Sequence, residues 1–148
     1  MTPVVERLAE LRRHLEHLRA VRPRVRSIEE LEGDLSLHND VLFSLLTVAR
    51  LVIDVAAELV SRDGHPFEDY TTAVRSLRRV DPDDFPLEMV EELARLPGFR
   101  NILIHGYVGL DYELVLRALD HLDPVERFVR IVAERVSAPE EGEGHEPR

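Results

Sequence analysis

The hydrophobic positions of this chain recur with the period of an α-helix along almost its whole length. In the first segment they fall at alternating steps of four and three residues, which places one apolar stripe along a single helix face. The stripe consists of Val4, Leu8, Leu11, Leu15 and Leu18. No alternating apolar and polar pattern longer than four residues is present, so the sequence predicts an all-α fold.

Prolines, glycines and capping residues divide this pattern into further helices. The longest, from Leu37 to Arg62, is apolar on more than one face, which predicts a helix at the centre of a bundle. We expect Ser27 and Glu30 to form a capping box at a helix start. The remaining boundaries are predicted at Pro23, Asp63-Gly64, Asp81-Pro82, Pro86, Pro97-Gly98, Asp111 and Asp123-Pro124. These elements predict an up-and-down helical bundle of four to five main helices.

Length and composition predict one domain followed by an acidic tail. The chain has 148 residues, which is enough to bury a core without covalent cross-links. We expect residues 1–137 to form a single helical domain. Residues 138–148 contain four Glu and one Arg among Gly and Pro, which predicts a disordered tail. The chain has no Cys, so disulfides and thiolate metal sites are excluded.

The charge pattern restricts the partners that the chain can bind. A formal net charge of -10 argues against a broad surface that coats nucleic acid. It allows a small basic cleft, because binding follows the local field rather than the total charge. The most apolar stretch, residues 41–60, is interrupted by Arg50, Asp54 and Glu58, which a bilayer span tolerates poorly. Without a signal-peptide pattern at the N-terminus, the sequence predicts a cytoplasmic protein that does not enter a membrane.

The candidate chemistry is concentrated in residues 100–107, which read Arg-Asn-Ile-Leu-Ile-His-Gly-Tyr. Arg100 can hold phosphoryl oxygens with its forked guanidinium group, and His105 can transfer protons near neutral pH. RNA cleavage needs both abilities, because a 2′-hydroxyl must lose its proton and charge develops on the phosphate. Asn101 lies one helical turn before His105, where it could orient the imidazole or bond a ribose. The alternative is that Asn101 is only a cap or turn residue.

The spacing of Arg100 and His105 predicts a site shared between two chains. On a regular helix a separation of five residues turns the two side chains about 140° apart. They meet only if Arg100 reaches around the helix or if the helix unwinds near Gly106. One chain also supplies a single imidazole, whereas two chains about a two-fold axis supply an acid and a base. We therefore expect a homodimer.

Other charged residues have competing interpretations. Asp54 lies on the predicted central helix, where a buried carboxylate is costly unless it is paired. It either pairs with Arg100 or positions His105, or it forms a purely structural bond with another Arg. His14 and His17 are three residues apart and could face a metal together. Because charged residues surround them, a solvated helix face is the preferred interpretation, and no metal or other cofactor is predicted.

The segment resembles a known family. The pattern R-x-x-x-x-H-x-Y, formed by Arg100, His105 and Tyr107, resembles the signature of the HEPN superfamily. Residues 97–107 are similar, nearly residue for residue, to its HepT branch, the toxin half of a two-gene toxin–antitoxin module. Ile53-Asp54, Tyr70 and residues 122–129 are also similar, so the resemblance extends over roughly residues 4–136.

This resemblance implies a fold, an activity and a partner. It implies four or five bundled helices, a homodimer with the motif at a shared cleft, and metal-independent cleavage of RNA. It also implies a type VII-like toxin–antitoxin system. In such a system the partner is a minimal nucleotidyltransferase antitoxin, which silences the toxin by transferring AMP onto Tyr107. In an unrelated protein Tyr107 would more often be a half-buried packing residue.

Two other functions remain open at this stage. The chain could be a non-catalytic dimeric module that docks a nucleotidyltransferase and binds nucleotide or RNA without cutting it. The net negative charge fits that alternative slightly better. A plain helical scaffold would leave the combination of Arg100, His105 and Tyr107 unexplained.

Overall fold

The structure is a computed structural model that describes residues 2–106 and 108–138. All regular secondary structure in these residues is helical, as the sequence pattern predicted. The helices of eight or more residues are α1 (Thr2–Val21), α3 (Leu35–Arg62), α7 (Leu96–His105), α8 (Tyr112–Leu119) and α9 (Asp123–Ser137). The shorter ones are α2 (Ile28–Gly33), α4 (Tyr70–Arg75), α5 (Leu77–Val80) and α6 (Leu87–Leu93), and a 3₁₀ turn (Arg22–Arg24) follows α1. Beyond residue 138, the predicted acidic tail lies outside the described residues.

Helix α3 occupies the centre of the bundle, as its apolar pattern predicted. It packs most extensively against α1 and α7 and also contacts α2, α4, α5 and α8. Its buried side chains are almost all apolar. Fully burying one Val, Leu or Ile side chain stabilises a fold by about 1.5–3 kcal/mol, so α3 supplies much of the core. In the described part of the chain, no helix is long and apolar enough to cross a membrane.

Capping side chains begin the helices near the predicted positions. Ser27 accepts the backbone N–H of Glu30 at 3.0 Å, which confirms Ser27 as the cap of α2. The reciprocal half of the capping box was predicted wrongly, because the Glu30 carboxylate accepts the backbone N–H of Arg26 instead. Asp111 caps α8 as predicted and accepts two backbone N–H groups of its first turn.

The break before the candidate segment was predicted at the wrong residues. Helix α6 ends at Leu93, and α7 already begins at Leu96, so Pro97 lies in the first turn of α7. Proline lacks a backbone N–H, and the first turn of a helix has no internal acceptor for one. Pro97 therefore starts the helix that carries the candidate site rather than ending the helix before it.

Candidate active site

Helix α7 positions Arg100, Asn101 and His105 along one element that packs against α3 and α4. It ends at His105, and the next residue, Gly106, lies close to the last turn of the helix. A Cβ atom added at Gly106 would lie 2.6 Å from the carbonyl oxygen of Ile102 and 3.0 Å from a methyl carbon of Leu110. The φ angle of Gly106 is -92°, so this position requires glycine for space and not for a left-handed backbone.

Arg100 is half-buried, and its guanidinium group forms no ion pair with a carboxylate among the described residues. Its guanidinium carbon lies 5.4 Å from the centroid of the Tyr70 ring, within the range of a cation–π contact. One terminal nitrogen donates to Oδ1 of Asn101 at 3.3 Å. Its Nε is buried and has no hydrogen-bond partner among the described residues. The other terminal nitrogen, Nη1, makes no hydrogen bond to a described residue and is not buried, so this donor is available to an anion.

His105 is exposed at the end of α7. Within the part of the chain that the structure describes, it forms no hydrogen bond and no ion pair. Helix α7 is regular up to His105, so Arg100 and His105 point about 140° apart. The unwinding predicted near Gly106 begins only after His105 and does not bring the two side chains together. Within the single chain, Arg100 is therefore hydrogen-bonded to Asn101, whereas His105 forms no hydrogen bond with either residue.

The prediction that Asp54 is buried was wrong. Asp54 is exposed on α3, and it forms no hydrogen bond or ion pair with any residue in the described ranges. It follows Arg50, also exposed, by four residues, so the two share one face of the helix. Even the central helix of this bundle leaves one face open to solvent, and that face carries Asp54. Neither predicted pairing, with Arg100 or with another Arg, is found among the described residues.

Tyr107 lies outside the described residues, and its predicted modification stays a prediction. The described residues on either side of it lie between α7 and α8. Next to it, Val108 is 93% exposed, and Gly109 has a φ angle of 76°. That backbone conformation favours glycine, because a side chain is strained there.

Tyr70 belongs to the family resemblance, but the sequence did not predict that it contacts Arg100. It starts α4, and its ring is 43% exposed while it contacts the Arg100 guanidinium. Asp69 caps this helix by accepting the backbone N–H of Thr72 at 2.7 Å. The same hydrogen bond holds the pKa of the Asp69 carboxyl below its ordinary value. No sequence pattern relates positions 70 and 100, because their contact arises from the packing of α4 on α7.

A groove of about 660 Å³ lies beside α7 and is also lined by residues of α3, α8 and α9. Its wall is largely apolar and includes Gly98, Phe99 and Ile102, and its rim carries Arg95 and other polar residues. His105 follows Gly98 by seven residues and Ile102 by three, so it lies on the same face of α7. Neither Arg100 nor His105 is among the residues that line this groove.

The paired histidines of α1 serve packing between helices. Nδ1 of His14 lies 3.1 Å from the Ser44 hydroxyl, and Nε2 of His17 lies 2.8 Å from the Asp40 carboxylate. Both partners belong to α3, so the predicted solvated face is in part an interhelical contact. Within the described ranges, no group of three or more His, Asp or Glu side chains could hold a metal ion.

Comparison with solved structures identifies the class of fold. The chain matches a chain of the solved structure "tri-AMPylated Shewanella oneidensis HEPN toxin in complex with MNT antitoxin" with a TM-score of 0.74 and 20% identity, over 88% of this chain and 96% of that one. It also matches a chain of a toxin–antitoxin structure with AMP-PNP with a TM-score of 0.77 and 17% identity, over 90% and 98% of the two chains. The fold is therefore HEPN-like, as the resemblance implied.

The family follows from sequence comparison. The family model described as "Ribonuclease HepT-like" matches residues 8–132. A protein of Archaeoglobus fulgidus named "Putative RNase" is 34% identical over 124 residues, which cover 82% of this chain and 92% of that protein. A second protein of that name and organism is 32% identical over 108 residues, 73% and 75% of the two chains. This chain belongs to the HepT-like ribonuclease family.

Proposed function

We propose that this chain is a metal-independent endoribonuclease and the toxin of a toxin–antitoxin module. One observation carries the proposal. In a chain of the HepT-like ribonuclease family, Arg100 has no carboxylate partner among the described residues, and the exposed His105 ends the same helix. These are the two groups that phosphodiester chemistry requires, and neither side chain forms an ion pair with a described residue.

The reaction is a transesterification within RNA. One imidazole takes the proton of a 2′-hydroxyl, and the 2′-oxygen forms a bond to phosphorus while the bond to the 5′-oxygen breaks. A second imidazole gives its proton to the leaving 5′-oxygen. Arg100 holds the phosphoryl oxygens and stabilises the charge that develops on them. The products are a 2′,3′-cyclic phosphate and a free 5′-hydroxyl.

The two imidazoles come from the two chains of a homodimer. The regular α7 turns Arg100 and His105 of one chain away from each other, so His105 of a second chain must complete the site. Apolar side chains next to His105 are exposed, with Ile102 at 42% and Val108 at 93%. A second subunit that covers them would gain hydrophobic stabilisation. Asp54, on the open face of α3, is accessible for a supporting contact across the two-fold axis.

Asn101 acts on Arg100 in this proposal. Its side-chain oxygen accepts a hydrogen bond from the guanidinium group at 3.3 Å. The amide is neutral, so it orients the guanidinium without cancelling the charge that the phosphate needs. In the described residues, Asn101 forms no hydrogen bond with His105, the imidazole that one sequence-based alternative expected it to orient.

The test of the activity is direct. The purified chain is incubated with single-stranded RNA in the presence of EDTA, and the 3′ ends of the products are analysed. We expect cleavage that leaves cyclic phosphate ends. RNA that is bound but remains intact would contradict the nuclease and would favour the non-catalytic docking module, the alternative that the net charge of -10 favours.

We further propose that a minimal nucleotidyltransferase antitoxin inactivates the chain through Tyr107. The support is the solved HEPN toxin that is tri-AMPylated and in complex with an MNT antitoxin. The tyrosine oxygen would attack the α-phosphorus of ATP, and pyrophosphate would leave. Each AMP would add bulk and negative charge two residues from His105, and the RNA phosphate would be repelled.

Modification is expected only when the phenol oxygen of Tyr107 is present. The chain is incubated with ATP, magnesium and a minimal nucleotidyltransferase of such a module, and AMP is located by mass spectrometry. Tyr107→Phe should remain unlabelled. Tyr112→Phe is the matched control and should be labelled like the wild type. If Tyr107→Phe is labelled as strongly as the wild type, Tyr107 is not the residue that is modified.

A further inference from the structure

We propose that Tyr70 is the positioning residue of Arg100, whose guanidinium group it holds ready for the RNA phosphate. This inference rests on the ribonuclease function proposed above. Tyr70 does not touch the reacting atoms in this account. It acts through the contact between the face of its ring and the guanidinium group, whose carbon lies 5.4 Å from the ring centroid.

A ring suits this task better than a carboxylate. A carboxylate would bind the guanidinium edge and compete there with the phosphate for the same N–H donors. The face of an aromatic ring attracts the cation without occupying those edge donors. The Nη1 atom of Arg100 makes no hydrogen bond to a described residue, so this donor stays available to an anion.

Tyr70 is itself held in place by the start of α4. The Asp69 cap begins the helix at Tyr70, and Ala73 and Val74 of the next turn are buried. The ring of Phe67 lies 6.4 Å from the Tyr70 ring, centroid to centroid. The helix contacts α3, α6 and α7, so the position of the ring is set by the core of the bundle.

The exposure of the Tyr70 ring argues against a role in core packing. Its side chain is 43% exposed, unlike the fully buried aromatic residues Phe85 and Phe128. Its hydroxyl group forms no hydrogen bond in the described part of the chain. The feature of Tyr70 that the structure uses is therefore the face of the ring, which phenylalanine also provides.

The experiment compares Tyr70→Leu with the conservative Tyr70→Phe in the RNA cleavage assay. Tyr70→Leu is expected to lower kcat by roughly 3- to 30-fold, which is the range of a cation–π contact, with little change in KM. Tyr70→Phe should retain most of the wild-type rate. Far-UV circular dichroism and thermal unfolding establish that both variants are folded.

A double-mutant cycle separates positioning from a structural role. In the background of Arg100→Ala, Tyr70→Leu should cause no further loss of single-turnover rate, because the group that it positions is gone. Losses that multiply would overturn the inference. So would a Tyr70→Leu variant with unchanged kcat, or one that raises only KM, which would indicate that the ring binds RNA directly.

The outcomes also separate this inference from the function on which it rests. A wild-type chain that does not cleave RNA overturns the nuclease and the positioning role together. An active wild-type chain with an unimpaired, folded Tyr70→Leu variant overturns the positioning role alone.

Discussion

Replacing His105 with alanine is expected to lower the rate of RNA cleavage by at least about 10²- to 10⁴-fold, the contribution of one positioned acid or base, because the variant homodimer lacks both. The imidazole is the group that moves both protons in the proposed reaction, one from each subunit. Its loss should leave the fold intact, because His105 is exposed and forms no hydrogen bond in the described part of the chain. Single-turnover cleavage and far-UV circular dichroism measure the two effects separately.

The matched control is His17→Ala. His17 is also exposed, but it pairs with Asp40 on the α1–α3 surface, and it is not part of α7. This variant should cleave RNA at the wild-type rate. If His105→Ala is as active as His17→Ala, His105 has no role in the chemistry.

The requirement for two imidazoles makes the His105 variant informative in mixtures as well. A mixed dimer of one wild-type and one His105→Ala chain has a single imidazole at the two-fold axis. Its rate should therefore be far below half that of the wild type, because either the acid or the base is missing. A rate of one half would show that each chain carries a complete site.

Replacing Arg100 with alanine is expected to reduce kcat by about 10²- to 10³-fold, the usual loss when one donor to the transition-state charge is removed. Arg100 has no described carboxylate partner, so its charge is available to the phosphate. Arg100→Lys should restore only part of the rate, since an ammonium group cannot fork onto two oxygens. Steady-state kinetics on a single-stranded RNA substrate give kcat and KM for each variant.

The control for Arg100 must remove the same charge elsewhere. Arg79 is exposed on α5, so Arg79→Ala changes the net charge equally without touching α7. It should leave kcat unchanged. If Arg79→Ala lowers the rate as much as Arg100→Ala does, the effect comes from the overall charge of the chain and not from a contact with phosphate.

Local patterns predicted the main helices well because each depends on nearby residues. The apolar stripe of α1 and the Asp111 cap of α8 involve contacts within one or two turns. The error at Pro97 has a local cause too. Proline interrupts a helix from inside but is favoured in its first turn, so the residue alone does not say which helix it belongs to.

The burial of side chains was harder to predict than the helices. Asp54 belongs to the central helix, yet it is exposed, because the neighbours of α3 do not cover its whole circumference. The sequence pattern shows which faces of a helix are apolar. It does not show which face the other helices leave open.

The sequence alone determined the helical class of this protein, its family, and the presence of Arg100 and His105 in one segment. These properties depend on residue types and on spacing along the chain. Only the tertiary structure decided that Arg100 lies against Tyr70, and that α3, α7, α8 and α9 together line an apolar groove. Such contacts join residues that are far apart in sequence, and the packing of whole helices around α3 brings them together.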